Sequence, residues 1–260
     1  MDDDELRAQA AANVAAWHES SVRALHGATA RSDAWWSYPA PAPNIYFTAI
    51  SLAKQQADRH DAITDAITDD WPDDARAFVR AHLDDPAGGH VCLCDSWDEL
   101  DLVPLGLERK TRGRWCVRPA TPLPLASEPE GLEIEAVRDT RALAVFERTM
   151  VTGFGARLPV APFDIHAPGI LDDPAMHVFL GRHGGRPVAV SMAYLTDEML
   201  GVYGVATIAG ARGRGFATAM TRAALAVDPT RTAMLQPSVE AWPIYEALGF
   251  VDIGSFSHWG

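Results

Sequence analysis

Arginine and glycine alternate at residues 212–215, between a stretch that favours a strand and one that favours a helix. Leu200–Ile208 is apolar and rich in β-branched residues, whereas Ala217–Val227 consists of strong helix formers. A strand that enters a helix through such a turn leaves several backbone amides without partners, and the helix dipole adds positive potential there. Gly213 and Gly215 carry no Cβ, so a ligand can approach the backbone closely. The Arg-Gly turn (residues 212–215) therefore predicts an anion site, most simply for a phosphate group.

Two other phosphate-binding loops are excluded by their own sequence requirements. A Walker loop ends in Gly-Lys-Ser/Thr, and no such lysine follows here. A dinucleotide fingerprint needs a third glycine inside a βαβ unit, but Thr218 stands at that position and the preceding strands have an antiparallel pattern. An ordinary solvated turn is the remaining alternative, and for four residues taken alone it is the commoner case.

Composition limits the classes of partner. The chain has 260 residues, 48% of them hydrophobic and 22% charged, with a net charge of −13. This balance argues against nucleic acid or an anionic membrane as a bulk partner, so an anionic ligand must be held by a local device. The acidic start Met1–Glu5 predicts neither a secretory nor a transit peptide, and no apolar run reaches the roughly 20 residues that span a bilayer. Three cysteines predict no disulfide framework, and we expect a cytoplasmic protein.

Prolines indicate a division of the chain. Four prolines fall within residues 119–131, and such a segment cannot form a regular element. We therefore expect an N-terminal lobe at 1–118, a linker at 119–131 and a second domain at 132–260.

The elements that must position the Arg-Gly turn follow from the periodicity of the second domain. We predict a strand at 132–137, a helix capped by Asp139, an antiparallel meander of three strands ending at Ile208, the helix after the turn, a strand at 232–235, a helix at 241–248 and a strand from Phe250 towards Trp259. For the first lobe the prediction is helices at 5–26, 57–67, 73–83 and 97–103, with strands at 44–52, 90–95 and 114–118. The fold class is mixed α+β.

Two motifs in the second domain resemble those of the GCN5-related N-acetyltransferase (GNAT) family. The family's pyrophosphate motif, Arg/Gln-x-x-Gly-x-Gly/Ala, is matched by Arg212, Gly215 and Ala217. A tyrosine before Leu-Gly-Phe is matched further on by Tyr245, Leu248, Gly249 and Phe250. The motifs occur in the family's order, and the resemblance covers residues 132–260. Ala209 replaces a proline that is usual in the family.

The resemblance implies a three-layer α/β/α fold and an acetyl-CoA-dependent N-acetyltransferase. The backbone amides of seven residues would bind the pyrophosphate of acetyl-CoA: Arg212, Gly213, Arg214, Gly215, Phe216, Ala217 and Thr218. The end of the preceding strand, at Val205, Ala206 and Thr207, would pair with the pantetheine amides like an added strand. Tyr245 would protonate the leaving thiolate, although taken alone it is more typical of a core aromatic on an amphipathic helix. The acceptor would be a small-molecule or protein amine that attacks the thioester directly in a ternary complex.

The sequence does not single out a group to deprotonate the amine. The candidates are Glu147, His177, Asp197 and Glu198, and each taken alone is more typical of an ordinary solvated or packed residue. A non-catalytic acyl-CoA sensor therefore remains the alternative function. An RNA-contacting turn is a third interpretation, which the acidic balance and the lack of flanking aromatic residues oppose.

A short sequence pattern in the first lobe is similar to one in the second. Leu105-Gly106-Leu107 precedes a strand with Trp115, as Leu248-Gly249-Phe250 precedes one with Trp259. This lobe is either a degenerate copy of the same fold or an unrelated cap.

His90, Cys92 and Cys94 alternate in the same lobe, where with Cys116 they have the chemistry of zinc ligands. Cysteines that alternate on a strand more often pack as small hydrophobes, and we expect no metal.

Overall fold

The structure, a computed structural model, describes residues 1–38, 47–54, 91–125, 129–155 and 161–260. The chain forms two compact units, of which the first comprises Met1–Trp115 with Ile253–Gly260 and the second Cys116–Asp252. The helices expected at 57–67 and 73–83 lie outside the described residues. The division into lobes around residues 119–131 stays a prediction.

The first unit combines a long helix with a sheet. Helix α1 spans Asp3–Ala24, and the Asp2 carboxylate caps it by accepting the Glu5 N–H at 2.8 Å. Within this unit the strand order is β1-β2-β3-β4-β11-β5. The strands are β1 Ala30–Arg31, β2 Trp35–Ser37, β3 Ala49–Ser51, β4 Leu93–Asp95, β5 Arg109–Arg118 and β11 Val251–Trp259.

The helix expected at 97–103 is wrong. The Asp95 carboxylate accepts the backbone N–H groups of Trp97 at 3.2 Å and Leu100 at 2.8 Å, which holds the chain in a turn. An aspartate that bonds nearby amides in this way competes with helix formation. Only a short 3₁₀ helix follows, at Val103–Leu105.

The second unit carries the Arg-Gly turn. Its strand order is β5-β10-β9-β8-β7-β6, with only the end of β5 included. The strands are β6 Leu132–Ala136, β7 Met176–His183, β8 Arg186–Leu195, β9 Met199–Thr207 and β10 Thr232–Leu235. The helices are α2 Thr140–Gly153, α3 Phe216–Leu225 and α4 Trp242–Ala247. The predicted meander, mixed α+β class and Asp139 cap are confirmed, the last by a bond from the Ala142 N–H at 2.8 Å.

Helices α2 and α3 cover opposite faces of this sheet. The Ser191 hydroxyl on β8 donates to the Met220 carbonyl of α3 at 2.9 Å. The next residue, Met192, lies beside Met150 of α2, since both side chains approach the same point above Gly204. Successive side chains of a strand point to opposite faces. The unit therefore has three layers, helix, sheet and helix.

In the part of the chain that the structure covers, no helix combines the length and apolar character that crossing a bilayer requires. The same residues hold no group of three His, Cys, Asp or Glu side chains arranged to bind a metal ion. Cys94 and Cys116 are buried and all three cysteines are free thiols, while His90 lies outside the described residues.

A buried histidine ties α1 to the sheet of the first unit. His18 is 1% exposed, its Nδ1 lies 2.8 Å from the Val14 carbonyl oxygen, and its Nε2 accepts the Phe47 N–H at 2.9 Å. One nitrogen must donate and the other accept, so the ring is neutral. Burial lowers the pKa of His18 from 6.5 to about 4.

We expect this histidine to make the protein sensitive to acid. Because the folded pKa lies below the unfolded value, its contribution is complete above pH 6.5 and is lost as the pH falls towards about 4. The difference corresponds to about 3 kcal/mol in the free energy of unfolding. Urea denaturation followed by tryptophan fluorescence should show this loss. His18→Gln should reduce the acid sensitivity, and the part that remains is due to His166 and His258, whose pKa values burial also lowers. His26→Gln, at an exposed position, is the control and should leave the pH dependence unchanged.

Candidate active site

Strand β9 contains a bulge in front of the Arg-Gly turn. Its register with β8 pairs Val190 with Ala206 but Met192 with Tyr203, so β9 has one residue more than β8 between these pairs. Gly204 has φ of 58°, and a Cβ there would lie 3.1 Å from Cε of Met192. A glycine is required at this point because a side chain would be both strained and crowded. A bulge of this kind bends a strand and re-aims the residues that follow.

The pairing of strands β9 and β10 ends just before the bulge. Their parallel register joins only Met199–Gly201 to Thr232–Met234. Strand β9 continues to Thr207, whereas β10 ends at Leu235. In the described sheet, the second half of β9 therefore has no neighbour on its β10 side. Such an edge can pair with an extended ligand through the main chain.

The Arg-Gly turn connects β9 to the N-terminus of α3. Gly213 has φ of 75° and Gly215, the N-cap residue, has φ of 78°, a conformation that costs glycine little. No side chain among the described residues caps the helix, so the amides of its first turn stay available to a ligand. A Cβ on Gly213 would meet no heavy atom within 4 Å, which means that the turn faces open space. Phe216 is 1% exposed and anchors the helix in the core.

The two arginine side chains of the turn have partners within the protein. Arg212 donates from Nη2 to the Gly153 carbonyl at 2.7 Å and from Nε to the Thr207 carbonyl at 3.2 Å. Arg214 donates to Nε2 of His183 at 2.7 Å, with its guanidinium 4.8 Å from the Phe216 ring centre. The guanidinium groups thus hold the turn in place and add positive charge, while the backbone amides offer the hydrogen bonds.

Thr207 supplies a polar atom beside this turn. Its side chain is buried, with 8% of the residue exposed, and Oγ1 makes no hydrogen bond in the described part of the chain. Buried hydroxyl groups in proteins nearly always have partners. An extended polar ligand along β9 would provide one, so the residues present fit the pantetheine arm of a CoA thioester.

Residues 141–250 match the family model for the acetyltransferase (GNAT) family. The match includes β9, the Arg-Gly turn, β10 and Tyr245. Residues 141–250 belong to the GNAT family. The recognition made from the two motifs is confirmed, and with it a domain whose family transfers acyl groups from CoA. No curated protein sequence matches the chain.

Solved structures share the fold over most of the chain. A GCN5-related N-acetyltransferase from Kribbella flavida is 17% identical with a TM-score of 0.61, and 95% of each chain is covered. A GNAT-family protein from Novosphingobium aromaticivorans is 19% identical with a TM-score of 0.55, covering 89% of this chain and 90% of that one. A conserved protein of unknown function from Staphylococcus epidermidis is 13% identical with a TM-score of 0.58, covering 90% and 93%. At these identities the likeness extends to the fold alone.

Tyr245 of the GNAT domain lies in the core between α3 and α4. It is 7% exposed, packs in an apolar cluster with Leu248 and Phe250, and is hydrogen-bonded to Thr221 of α3. Burial raises the pKa of the Tyr245 hydroxyl to about 12. The group therefore remains protonated at neutral pH, which a proton donor requires. Its catalytic role stays a prediction.

The candidate bases of the sequence are not gathered at the turn. Asp197 and Glu198 lie in the exposed hairpin that precedes β9. At about 3.3 Å per residue, the strand separates them from Thr207 by roughly 30 Å. His177 lies on β7 opposite Ala193, and burial lowers the pKa of its imidazole.

Glu147 of α2 anchors a loop. It is 2% exposed and accepts the N–H groups of Phe163 and Ile165 at 2.6 Å each and of His166 at 3.1 Å. Hydrogen bonds to an ionised carboxylate are stronger than those between neutral groups. This side chain therefore fixes residues 163–166 against the helix.

Sequence reasoning missed one polar group in this domain. Asp173, just before β7, accepts the Tyr194 hydroxyl at 3.3 Å and the Ala175 N–H at 2.9 Å. Asp173 and Tyr194 are far apart in sequence and match no motif. The sequence contained one signal for the position of Tyr194. Side chains alternate between the two faces along β8, so Tyr194 lies on the same face as Met192.

We expect Glu147→Gln to destabilise the domain. The glutamine side chain has one oxygen to accept the three backbone N–H groups, and it carries no charge. The free energy of unfolding should therefore fall by about 1–3 kcal/mol. Urea denaturation measures this directly. Glu198→Gln makes the same change in an exposed turn and should stay within about 0.5 kcal/mol of the unmodified protein. Equal effects of the two substitutions would contradict the anchoring role.

Proposed function

We propose that this protein is an acetyl-CoA-dependent N-acetyltransferase that moves the acetyl group to a primary amine by direct attack in a ternary complex. One observation carries the proposal. The uncapped N-terminus of α3 at Gly215 adjoins the half of β9 that lacks a neighbour on its β10 side. The diphosphate of a CoA thioester fits the helix N-terminus, and its amide groups fit the unpaired side of β9.

Backbone groups account for cofactor binding in this proposal. The amides of residues 213–218 donate to the diphosphate, and the α3 dipole favours its negative charge. The Arg212 N–H, which was expected to join them, donates instead to the Ala209 carbonyl at 3.4 Å. Val205, Ala206 and Thr207 pair with the pantetheine amides as an added strand would. Thr207 also supplies a buried hydroxyl for a hydrogen bond. The ligand is thus held at a fixed depth along β9.

The transfer step needs three proton movements. The ammonium loses a proton, and the lone pair of the amine then forms the N–C bond with the thioester carbonyl carbon. The C–S bond breaks, the thiolate takes a proton from the Tyr245 hydroxyl, and the nitrogen releases its second proton, which restores the tyrosine through water. Acetyl-CoA supplies the activated acyl group, while the protein orients it and exchanges the protons. A general acid of this kind typically contributes 10²–10⁴-fold to the rate.

The proposal is tested by separating binding from turnover. Titration calorimetry with acetyl-CoA measures binding, and a thiol reagent measures CoA release in the presence of spermidine, an aminoglycoside or a lysine-containing peptide. We expect heat of binding and amine-dependent release. Binding without release for any amine would contradict an enzyme and support an acyl-CoA sensor instead.

Gly215→Asp should abolish acetyl-CoA binding. The substitution puts a carboxylate beside the diphosphate and strains a residue whose φ is 78°. We expect at least about 100-fold weaker binding, or about 3 kcal/mol, by calorimetry. Gly106→Asp is the matched control, because Gly106 has φ of 82° and open space around a Cβ but lies in the first unit. Its acetyl-CoA affinity should be unchanged.

Tyr245→Phe should spare acetyl-CoA binding and slow CoA release about 100-fold, because it removes the proton donor and keeps the ring. Tyr38→Phe removes the hydroxyl of another tyrosine that is also 7% exposed, and we expect normal turnover. Unchanged kcat in Tyr245→Phe would exclude the assigned role, whereas weaker acetyl-CoA binding would indicate a structural one.

A further inference from the structure

Three polar side chains share one region of the second unit, on the face that α2 covers. Tyr194 of β8 and Tyr203 of β9 both point to this face, because Met192 pairs with Tyr203 and alternates with Tyr194. Asp173 approaches from the segment before β7 and accepts the Tyr194 hydroxyl at 3.3 Å. We call Asp173, Tyr194 and Tyr203 the carboxylate–tyrosine cluster.

Tyr203 brings this cluster to the opening between β9 and β10. It precedes the bulge at Gly204, and its hydroxyl lies 3.7 Å from Sδ of Met234 on β10. Its ring therefore reaches across the point where the two strands start to separate. Tyr194 is its diagonal neighbour on β8, because the direct partner of Tyr203 is Met192. Burial raises the pKa of the Tyr203 hydroxyl well above its ordinary value.

The charges of the cluster suit an ammonium group. Both tyrosines are neutral hydrogen-bonding groups at neutral pH, which leaves the Asp173 carboxylate as the charge of the cluster. A carboxylate accepts up to about four hydrogen bonds, so it can serve a turn, a tyrosine and a ligand together. Aromatic rings beside it attract a cation further.

Asp173 is also held in a defined position. Its Oδ1 accepts the Ala175 N–H at 2.9 Å, and its carbonyl accepts the Met176 N–H at 3.0 Å. These bonds shape the turn that starts β7. The Tyr194 hydroxyl contacts Oδ2 and so directs the second oxygen. The carboxylate is thus oriented from both sides before any ligand arrives, which reduces the entropy cost of binding.

We propose that Asp173, oriented by Tyr194, binds the ammonium group of the acceptor beside Tyr203 and takes the proton that this nitrogen loses before it attacks the thioester. The N–H bond that breaks supplies the proton, the nitrogen lone pair forms the new N–C bond, and the carboxylic acid returns the proton to water. The site selects cationic primary amines. This inference rests on the proposed transferase function.

Asp173→Asn tests the charge without removing the turn. Its amide oxygen still accepts the Ala175 N–H, so the unfolding midpoint should stay unchanged. With spermidine as the acceptor we expect kcat/KM to fall about 100-fold, while the acetyl-CoA affinity stays within twofold. Calorimetry of spermidine against the CoA-bound protein should lose its signal. Asp172→Asn, at the exposed neighbour, is the control and should change neither quantity.

Tyr194→Phe supplies a second test that leaves Asp173 in place. It should lower kcat/KM for spermidine by about fivefold to tenfold without changing acetyl-CoA affinity. Amine turnover that is equal in Asp173→Asn and the unmodified protein would overturn this inference and leave the transferase function standing. An unmodified protein that binds acetyl-CoA and acetylates no amine would overturn both.

Discussion

One side chain holds together the parts on which the proposed site depends. Arg212 bonds the carbonyl of Gly153 at the end of α2 and that of Thr207 at the end of β9, while its own backbone starts the Arg-Gly turn. Helix, strand and turn are therefore fixed relative to one another by one planar group. Helix α2 and strand β9 pack closely here, since a Cβ on Gly153 would lie 2.8 Å from Cβ of Ala206. Lysine has a single charged nitrogen and could not make both bonds in this geometry.

In the proposed function, this arrangement lets a chain with a net charge of −13 accommodate a diphosphate. Both arginines near the turn have partners within the protein, so in that proposal the contact with the ligand falls to backbone amides and the α3 dipole. Amides have fixed positions and no side-chain entropy to lose. Recognition then depends on the shape of the turn, which the positive φ angles of Gly213 and Gly215 set. The surrounding acidity also keeps other polyanions away from the surface.

The sequence predicted those features that are local. Asp139 starts α2 because an aspartate next to a helical pattern is a cap, and the meander follows from alternation and glycine turns. The helix expected at 97–103 failed because the Asp95 side chain takes two of its amides. The burial of Glu147 and Tyr245, and the pairing of Asp173 with Tyr194, depend on residues distant in sequence. No pattern along one segment contains such contacts, so the acceptor side of the site could not be predicted. One feature of the sequence corresponds to the bulge, namely the glycine within β9.

The position of β11 in its sheet has a consequence for synthesis on the ribosome. This strand forms near the end of the chain yet lies between β4 and β5 in the first unit, and more than half of the chain separates it from β4. The N-terminal segment emerges first but lacks its central strand until residue 259 has left the exit tunnel. The second unit has nearly all of its residues earlier and can fold before the first. The order of folding is then the reverse of the order of synthesis, and the nascent N-terminal segment exposes two sheet edges in the interval.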